Sequence, residues 1–363
     1  MEMQEQRFRL ALSCVEGIGP VKYRLLLSTC GSAEALFRMR LRELKQLPGM
    51  HERTASAIHR FADWDRLDQE MVYCTEKGIE ILMMGEPNYP AKLMHCDDAP
   101  PVLFFKGKGN PNAVRTVAVI GTRRATEYGR QLCDALVAGL RDHDITVLSG
   151  LAYGIDIAAH KACVQYGVPT IGVLAHGLAS VYPPEHTATA MAMQAQGGLL
   201  TTHFHDVTAE RGHFPARNRI VAGMADVVVL VETGAKGGSL ITARFAESYH
   251  RELCCFPARV NDAQSVGCLA LIKTLKASLI CSASDLLFHM QWEKDNVKQL
   301  PLFETLPPEE QQLWEIVREY SPIWLDELQL RSAWSTPRLM SVLMLWELQG
   351  RIYWMPGKRV ALR

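Results

Sequence analysis

Between Thr116 and Ile280 short apolar runs alternate with stretches whose apolar residues recur every three or four positions. That is the pattern of strands alternating with amphipathic helices. Thr116–Ile120, Ile145–Leu148, Thr170–Leu174, Leu199–Thr201, Asp226–Val231 and Leu253–Phe256 predict strands, and Tyr128–Arg141, Gly154–Gln165, Thr187–Ala195, Arg217–Met224, Ser239–His250 and Gly267–Leu275 predict helices. After Asp226 the run Val227 to Val231 has no polar face, as a strand covered on both sides requires. The fold class expected is therefore α/β, a parallel sheet with helices on both faces. Ligands of such sheets bind beyond the carboxyl ends of the strands. The unusual residues fall in the segments after these strands, so six loops are expected to face one crevice.

The flanks follow other patterns. Leu12 to Pro20, with Gly17-Ile18-Gly19, and Leu44 to Met50, with Pro48-Gly49-Met50, each interrupt helical periodicity in the manner of a helix-hairpin-helix turn, the second with Met50 in place of the final glycine. Such turns either touch DNA phosphates through their amides or serve only to pack helices. They place a helical domain at residues 1–85. Proline-rich turns around Gly85 to Pro90 and Ala99 to Pro101, with a short strand Val102–Phe105, open a sheet domain at 86–290. Residues 291–306 lose all periodicity and read as a linker. In 307–363, helices at Pro307–Tyr320, Leu325–Leu328 and Thr336–Gln349 precede a hairpin through Ile352–Leu362, the order of a winged helix. Its recognition-position helix carries Arg338 but is otherwise apolar or acidic, so contact with DNA and contact with protein both remain open.

With 363 residues and a formal net charge of zero, the chain is not basic throughout, and nucleic-acid binding has to rest on local clustering. Ten cysteines without a Cys-x-x-Cys pair, several in apolar surroundings (Cys14, Cys133, Cys163, Cys254, Cys255), predict reduced thiols in a cytoplasmic protein. No apolar run reaches membrane-spanning length, and no membrane role is expected.

The clustering is in the loops. Arg123, Arg124, Arg217, Arg219, Lys236 and Arg259 are six cations expected around one crevice, with Asn218 between two of them. Arginine forks and lysine ammonium groups bind phosphate oxygens without reading sequence. Gly237-Gly238-Ser239 opens a helix whose first amides can hold an anion. Tyr153, Phe214, Tyr182 and His176 lie beside these cations and could stack unpaired bases. The bland alternative pairs Arg217 and Arg219 with Glu210, Glu232 or Glu247. Ser149, Asp156 and His160 offer a triad's residue types without a Gly-x-Ser-x-Gly elbow, and Asp156 with His160 is expected to tie a helix start to its loop. His203, His205 and His213 complete no metal spacing. The lysine of Gly234-Ala235-Lys236-Gly237-Gly238-Ser239 precedes the last glycines, which fails the P-loop pattern. No catalytic residue, metal or cofactor is expected.

These loops resemble, in order, the DNA-processing protein A (DprA, or Smf) family. The resemblance rests on Ala118-Val119-Ile120-Gly121-Thr122-Arg123, Ser149-Gly150-Leu151-Ala152-Tyr153-Gly154-Ile155-Asp156, Tyr182-Pro183, Phe214-Pro215-Ala216-Arg217-Asn218-Arg219 and Gly238-Ser239-Leu240-Ile241-Thr242-Ala243. It implies an extended Rossmann-like sheet flanked by an N-terminal helix-hairpin-helix or SAM-like domain and a C-terminal winged-helix-like domain. It further implies sequence-independent binding of single-stranded DNA, a homodimer, and loading of the recombinase RecA onto the strand during natural transformation. By the same resemblance Arg123, Arg217, Asn218, Arg219, Lys236 and Ser239 fall on binding-pocket motifs. The alternative is a nucleotide-binding or nucleotide-cleaving enzyme of the phosphoribohydrolase-like kind, which needs an acid in the crevice, Glu232 or Glu247.

Overall fold

The computed structural model describes residues 2–259, 261–292, 306–348, 350–355 and 357–362. Most of the linker expected at 291–306 lies outside the described residues. The chain forms two compact units, Met1–Glu293 and Lys294–Arg363.

The first unit begins with six helices, α1 (Glu2–Cys14), α2 (Pro20–Cys30), α3 (Ala33–Arg38), α4 (Leu41–Leu44), α5 (Glu52–His59) and α6 (Trp64–Lys77). Two hairpin turns repeat with an offset of 32 residues: Ile18 N–H bonds Val15 O as Met50 N–H bonds Leu47 O, and Tyr23 N–H bonds Gly19 O as Ala55 N–H bonds His51 O. Met50 thus matches Ile18, and His51 rather than Met50 takes the place of the final glycine. Gly17 and Gly49 hold φ of +83° and +69°, which a side chain would strain.

Nine strands follow in one sheet: β1 (Glu80–Met83), β2 (Val102–Gly107), β3 (Arg115–Ile120), β4 (Ile145–Ser149), β5 (Thr170–Val173), β6 (Gly198–Thr201), β7 (Val227–Leu230), β8 (Glu252–Cys255) and β9 (Ser278–Leu279). Their order is β1-β2-β6-β5-β4-β3-β7-β8-β9. From β6 to β9 all neighbours are parallel, while β2 joins β6 and β1 joins β2 antiparallel. The sheet therefore starts ahead of the expected boundary at residue 86, because Glu80–Met83 pairs with Val102–Phe105.

The helices α7 (Ala91–Met94), α8 (Glu127–Leu140), α9 (Ile155–Tyr166), α10 (Thr187–Met193), α11 (His213–Met224), α12 (Ser239–Ser248) and α13 (Val266–Lys273) connect the strands, and α14 (Ala283–His289) follows the last of them. Alternate residues of each strand enter opposite cores. Val117, Val119, Val147, Val227 and Val229 pack with Leu136, Val137 and Ala159 of α8 and α9. Ala118, Ile120, Leu148, Val228 and Leu230 pack with Ile220 and Val221 of α11, in a cluster that continues into Tyr23, Leu26, Leu36 and Ile58 of the helical module. One apolar core thus joins the N-terminal helices to the sheet.

The second unit holds α15 (Pro308–Tyr320), β10 (Ile323–Trp324), α16 (Leu325–Ser332), α17 (Thr336–Leu348), β11 (Ile352–Met355) and β12 (Arg359–Leu362), with strand order β10-β12-β11. Trp346 is buried at its centre against Trp314 in an edge contact of 5.1 Å. Trp324 is half exposed. Arg338, Met344 and Leu345 occupy the exposed side of α17. The fold is thus mixed α/β, with a helical N-terminus and a winged-helix C-terminus. All ten cysteines are free; Cys133, Cys163, Cys254 and Cys255 are buried as expected, whereas Cys14 is exposed.

Candidate nucleic-acid interface

Strand order reverses at β3: β4, β5 and β6 lie on one side, β7, β8 and β9 on the other. Loops leaving β3 and β7 diverge there and open a crevice. A cavity of about 460 Å³ occupies it, lined by Gly121–Arg124 after β3, Gly150, Ala152 and Asp156 after β4, Phe214, Arg217, Asn218 and Val221 of α11, and Gly237–Ser239 and Thr242 at the start of α12. A narrower annex of about 60 Å³ shares Arg123, Gly150, Ala152 and Phe214 with it and extends to Tyr153, His176, Tyr182 and Pro183.

The walls are fixed by tight backbone fits. A Cβ on Gly121 would stand 2.4 Å from Ile155, and one on Gly150 would stand 2.1 Å from the Arg217 guanidinium. Thr122 N–H donates to Glu232 O at 2.7 Å, and Ile155 N–H donates to Thr122 O at 3.2 Å. Glu232 is buried and accepts from the Thr126 amide (2.9 Å) and hydroxyl, holding the entry to α8. Its carboxylate is spent on that loop. Glu247 pairs with Lys276 on the surface at 2.8 Å. Neither acid lines the cavity, so the two candidates named for the enzyme alternative are not placed in it; the acid that does line it is Asp156.

α11 begins at His213, one turn earlier than expected, since Pro215 is tolerated within a first helical turn. Arg217 therefore sits in the second turn and is 5% exposed. Its Nη1 donates to Gly150 O and Val173 O, joining the ends of β4 and β5, and its Nε has no partner among the described residues. Burial lowers its pKa, with the nearby Asp156 carboxylate opposing the shift. Burial raises that of Asp156, opposed by Arg217 and by bonds from the loop, among them Gly150 N–H at 3.2 Å. The pair cancels in charge, so the net positive charge of the lining comes from Arg123 and Arg124, both exposed.

The six expected cations do not all converge. Arg219 turns away and pairs with Asp98, 3.3 Å from its carboxylate and bonded to its carbonyl. This is the pairing alternative, with a partner other than the glutamates expected. Arg259 lines a separate depression with Tyr128 and Asp262 beyond β8. Lys236 is exposed on the loop that leads into Gly237 but does not line the cavity. The Ser239 hydroxyl donates to Thr233 Oγ1 at 2.7 Å and serves the loop, while Gly237 and Gly238 open the N-terminus of α12 toward the cavity.

The aromatic residues do assemble. The Arg123 guanidinium lies 5.2 Å from the Phe214 ring centre, and Tyr182 stands 6.2 Å from Phe214. Tyr153 is exposed, meets His186 edge-on at 5.0 Å, and its hydroxyl donates to Glu185 at 3.0 Å. His176 is buried: Nδ1 donates to Gly177 O at 2.8 Å and Nε2 accepts from Tyr182 N–H at 3.2 Å, a neutral ring whose pKa burial holds below its ordinary value.

The triad does not assemble, because Ser149 bonds Asp156 but His160 joins neither. Ser149 donates to Val119 O at 2.6 Å, and His160 bonds Thr170 at 2.8 Å with its pKa pushed down to about 3 by burial. Asp156 ties the start of α9 to Gly150, as expected, but His160 bonds β5 and has no part in that tie; Asp156 also lines the cavity, which its sequence position did not reveal. Among the described residues no group of three His, Cys, Asp or Glu side chains could hold a metal.

Residues 80–291 match the family described as DNA recombination-mediator protein A, and residues 300–358 match the DprA winged helix domain. Protein Smf of Synechocystis sp. is 32% identical over 295 residues, covering 79% of this chain and 73% of its own. The X-ray structure of DNA processing protein A from Streptococcus pneumoniae superposes with a TM-score of 0.68 at 27% identity, over 78% of this chain and 97% of that one. DNA processing protein A from Helicobacter pylori, solved for its single-stranded DNA binding mode, gives 0.54 at 28% identity over 59% of this chain and 95% of that one.

Proposed function

Since the chain belongs to the DNA recombination-mediator protein A family, we propose that its crevice binds single-stranded DNA without regard to sequence and that the bound strand is handed to the recombinase RecA. The single observation that carries the first part is the cavity itself. Two exposed arginines, an open helix N-terminus and a run of accessible aromatic rings line one continuous space at the reversal of strand order. Arg123 and Arg124 supply point contacts to phosphates, Gly237 and Gly238 supply amides, and the orphaned Nε of Arg217 is a buried donor that a phosphate oxygen satisfies. Phe214, Tyr182 and Tyr153 stack bases, which only an unpaired strand presents. Lys236 adds charge at the rim. Arg219 and Arg259 belong to the scaffold in this reading, with Asn218 on the cavity wall.

The likeness to a protein solved for its single-stranded DNA binding mode supports the ligand. RecA loading, transformation and a homodimer rest on the family alone. The reading is tested by irradiating the full chain on a thymidine oligonucleotide and mapping the adducts by mass spectrometry. Adducts are expected on peptides carrying Phe214, Tyr182 or Tyr153; adducts confined to residues 307–362 would remove the crevice from the account.

A further inference from the structure

We propose that Glu70, in the N-terminal helical module, is a positioning residue for the aromatic wall of the crevice. This inference rests on the crevice reading above.

Glu70 lies on α6 and is 2% exposed. A carboxylate buried to that extent is costly unless its oxygens are bonded. Besides the Cys74 thiol, which donates to Oε1 at 3.8 Å, its partner among the described residues is His205, 135 positions later: the backbone N–H donates to Oε1 at 3.0 Å and Oε2 at 3.2 Å, and ring Nδ1 lies 2.5 Å from Oε2. The same ring stacks on Tyr73 with centres 3.9 Å apart and planes 17° from parallel. One turn earlier on α6, Arg66 covers Phe204 at 5.3 Å and stands 3.7 Å from Asp206. Positions 66, 70 and 73 share one helix face. That face grips three successive residues, Phe204, His205 and Asp206, between β6 and α11.

The gripped segment in turn holds the loop that carries the annex. Gly177 N–H donates to Val207 O at 2.8 Å and Ala179 N–H donates to His205 O at 3.1 Å. The two backbones pass so closely that a Cβ on Gly177 would stand 2.1 Å from Phe204 O. Thr201 donates to His176 O at 2.8 Å, His176 caps the Tyr182 amide, and both His176 and Tyr182 line the annex. The path thus runs from Glu70 through His205 to residues 177–179 and ends at Tyr182. Every step is a hydrogen bond or a ring contact within Met1–Glu293. Among the described residues no hydrogen bond of the path involves Arg123 or Arg124, and Tyr182 reaches Arg123 only by way of the Phe214 ring, so the phosphate contacts should be largely independent of it.

The test separates these two contributions. Affinity of the full chain is measured by anisotropy for an intact oligonucleotide and for one of the same length with abasic sites, each over a salt series. The wild type is expected to favour the intact strand by about tenfold, the value of stacking a base or two. Glu70→Ala should reduce that preference to about twofold and leave the slope of log K against log salt unchanged, because the slope counts phosphate contacts. Glu70→Gln, which keeps the shape and one acceptor, should restore part of the preference, and it serves as the informative variant if the alanine form does not fold. A wild-type preference that persists in a folded Glu70→Gln and Glu70→Ala pair overturns the inference alone, as does a slope that falls together with the preference. A wild type with no preference overturns both the aromatic reading of the crevice and the inference.

Discussion

Arg217→Ala should lower the melting temperature of Met1–Glu293 by about 10 °C and abolish most single-stranded DNA binding, because its loss leaves Asp156 as an uncompensated buried charge, about 3–5 kcal/mol in comparable cases. The same change frees Gly150 O and Val173 O, so the loops after β4 and β5 lose the bond that sets their spacing. Arg217→Lys is expected to recover only part of the stability, since an ammonium lacks the planar fork and cannot hold both carbonyls in the same geometry. Arg219→Ala is the matched control. It sits two positions away on the same helix but pairs with half-exposed Asp98 outside the cavity, so DNA affinity should change by less than about twofold. Differential scanning calorimetry with an anisotropy titration checks both parts. An Arg217→Ala protein that melts and binds as the wild type does would contradict the role given to the buried guanidinium.

The second large effect is expected from Arg123→Ala with Arg124→Ala. Both side chains are exposed, so stability should hold, but they carry the net positive charge of the cavity lining. Each phosphate contact on a single strand contributes about 0.7 to the slope of log K against log salt, so the double variant should lose about 1.4 of slope and about tenfold to a hundredfold of affinity at low salt. Arg123 also covers Phe214 at 5.2 Å, and its removal should free that ring and reduce base stacking somewhat. A double variant with wild-type slope would place the phosphates elsewhere.

Much of this arrangement is legible in the sequence. The unbroken runs Val117 to Ile120 and Val227 to Val231 specify buried parallel strands, and the rule that ligands lie beyond strand ends points to the loops that line the cavity. The error over Arg219 had a sequence signal too. In the expected helix Arg217–Met224, as in α11, Arg217 and Arg219 stand two positions apart and face different directions. Arg259 follows β8, a strand beyond β7 on the side away from β4, and strand order is a long-range property that no local pattern carries. The buried state of Arg217 was likewise hidden, because it bonds the carbonyls of Gly150 and Val173 and its charge is offset at a distance by a carboxylate on another helix. Glu70 and His205 had no local signal at all. An acid in an amphipathic helix and a histidine in a loop meet only because the helical module and the sheet share a core.

The claim on which the account depends is that the crevice selects an unpaired strand by a few phosphate contacts and exposed rings. An anisotropy titration of the full chain against one oligonucleotide, alone and annealed to its complement, tests it most directly when repeated across a salt series. The single strand should bind about tenfold or more tightly than the duplex at every salt concentration, with affinity falling as salt rises. Equal affinity for the two forms, or affinity indifferent to salt, would contradict it.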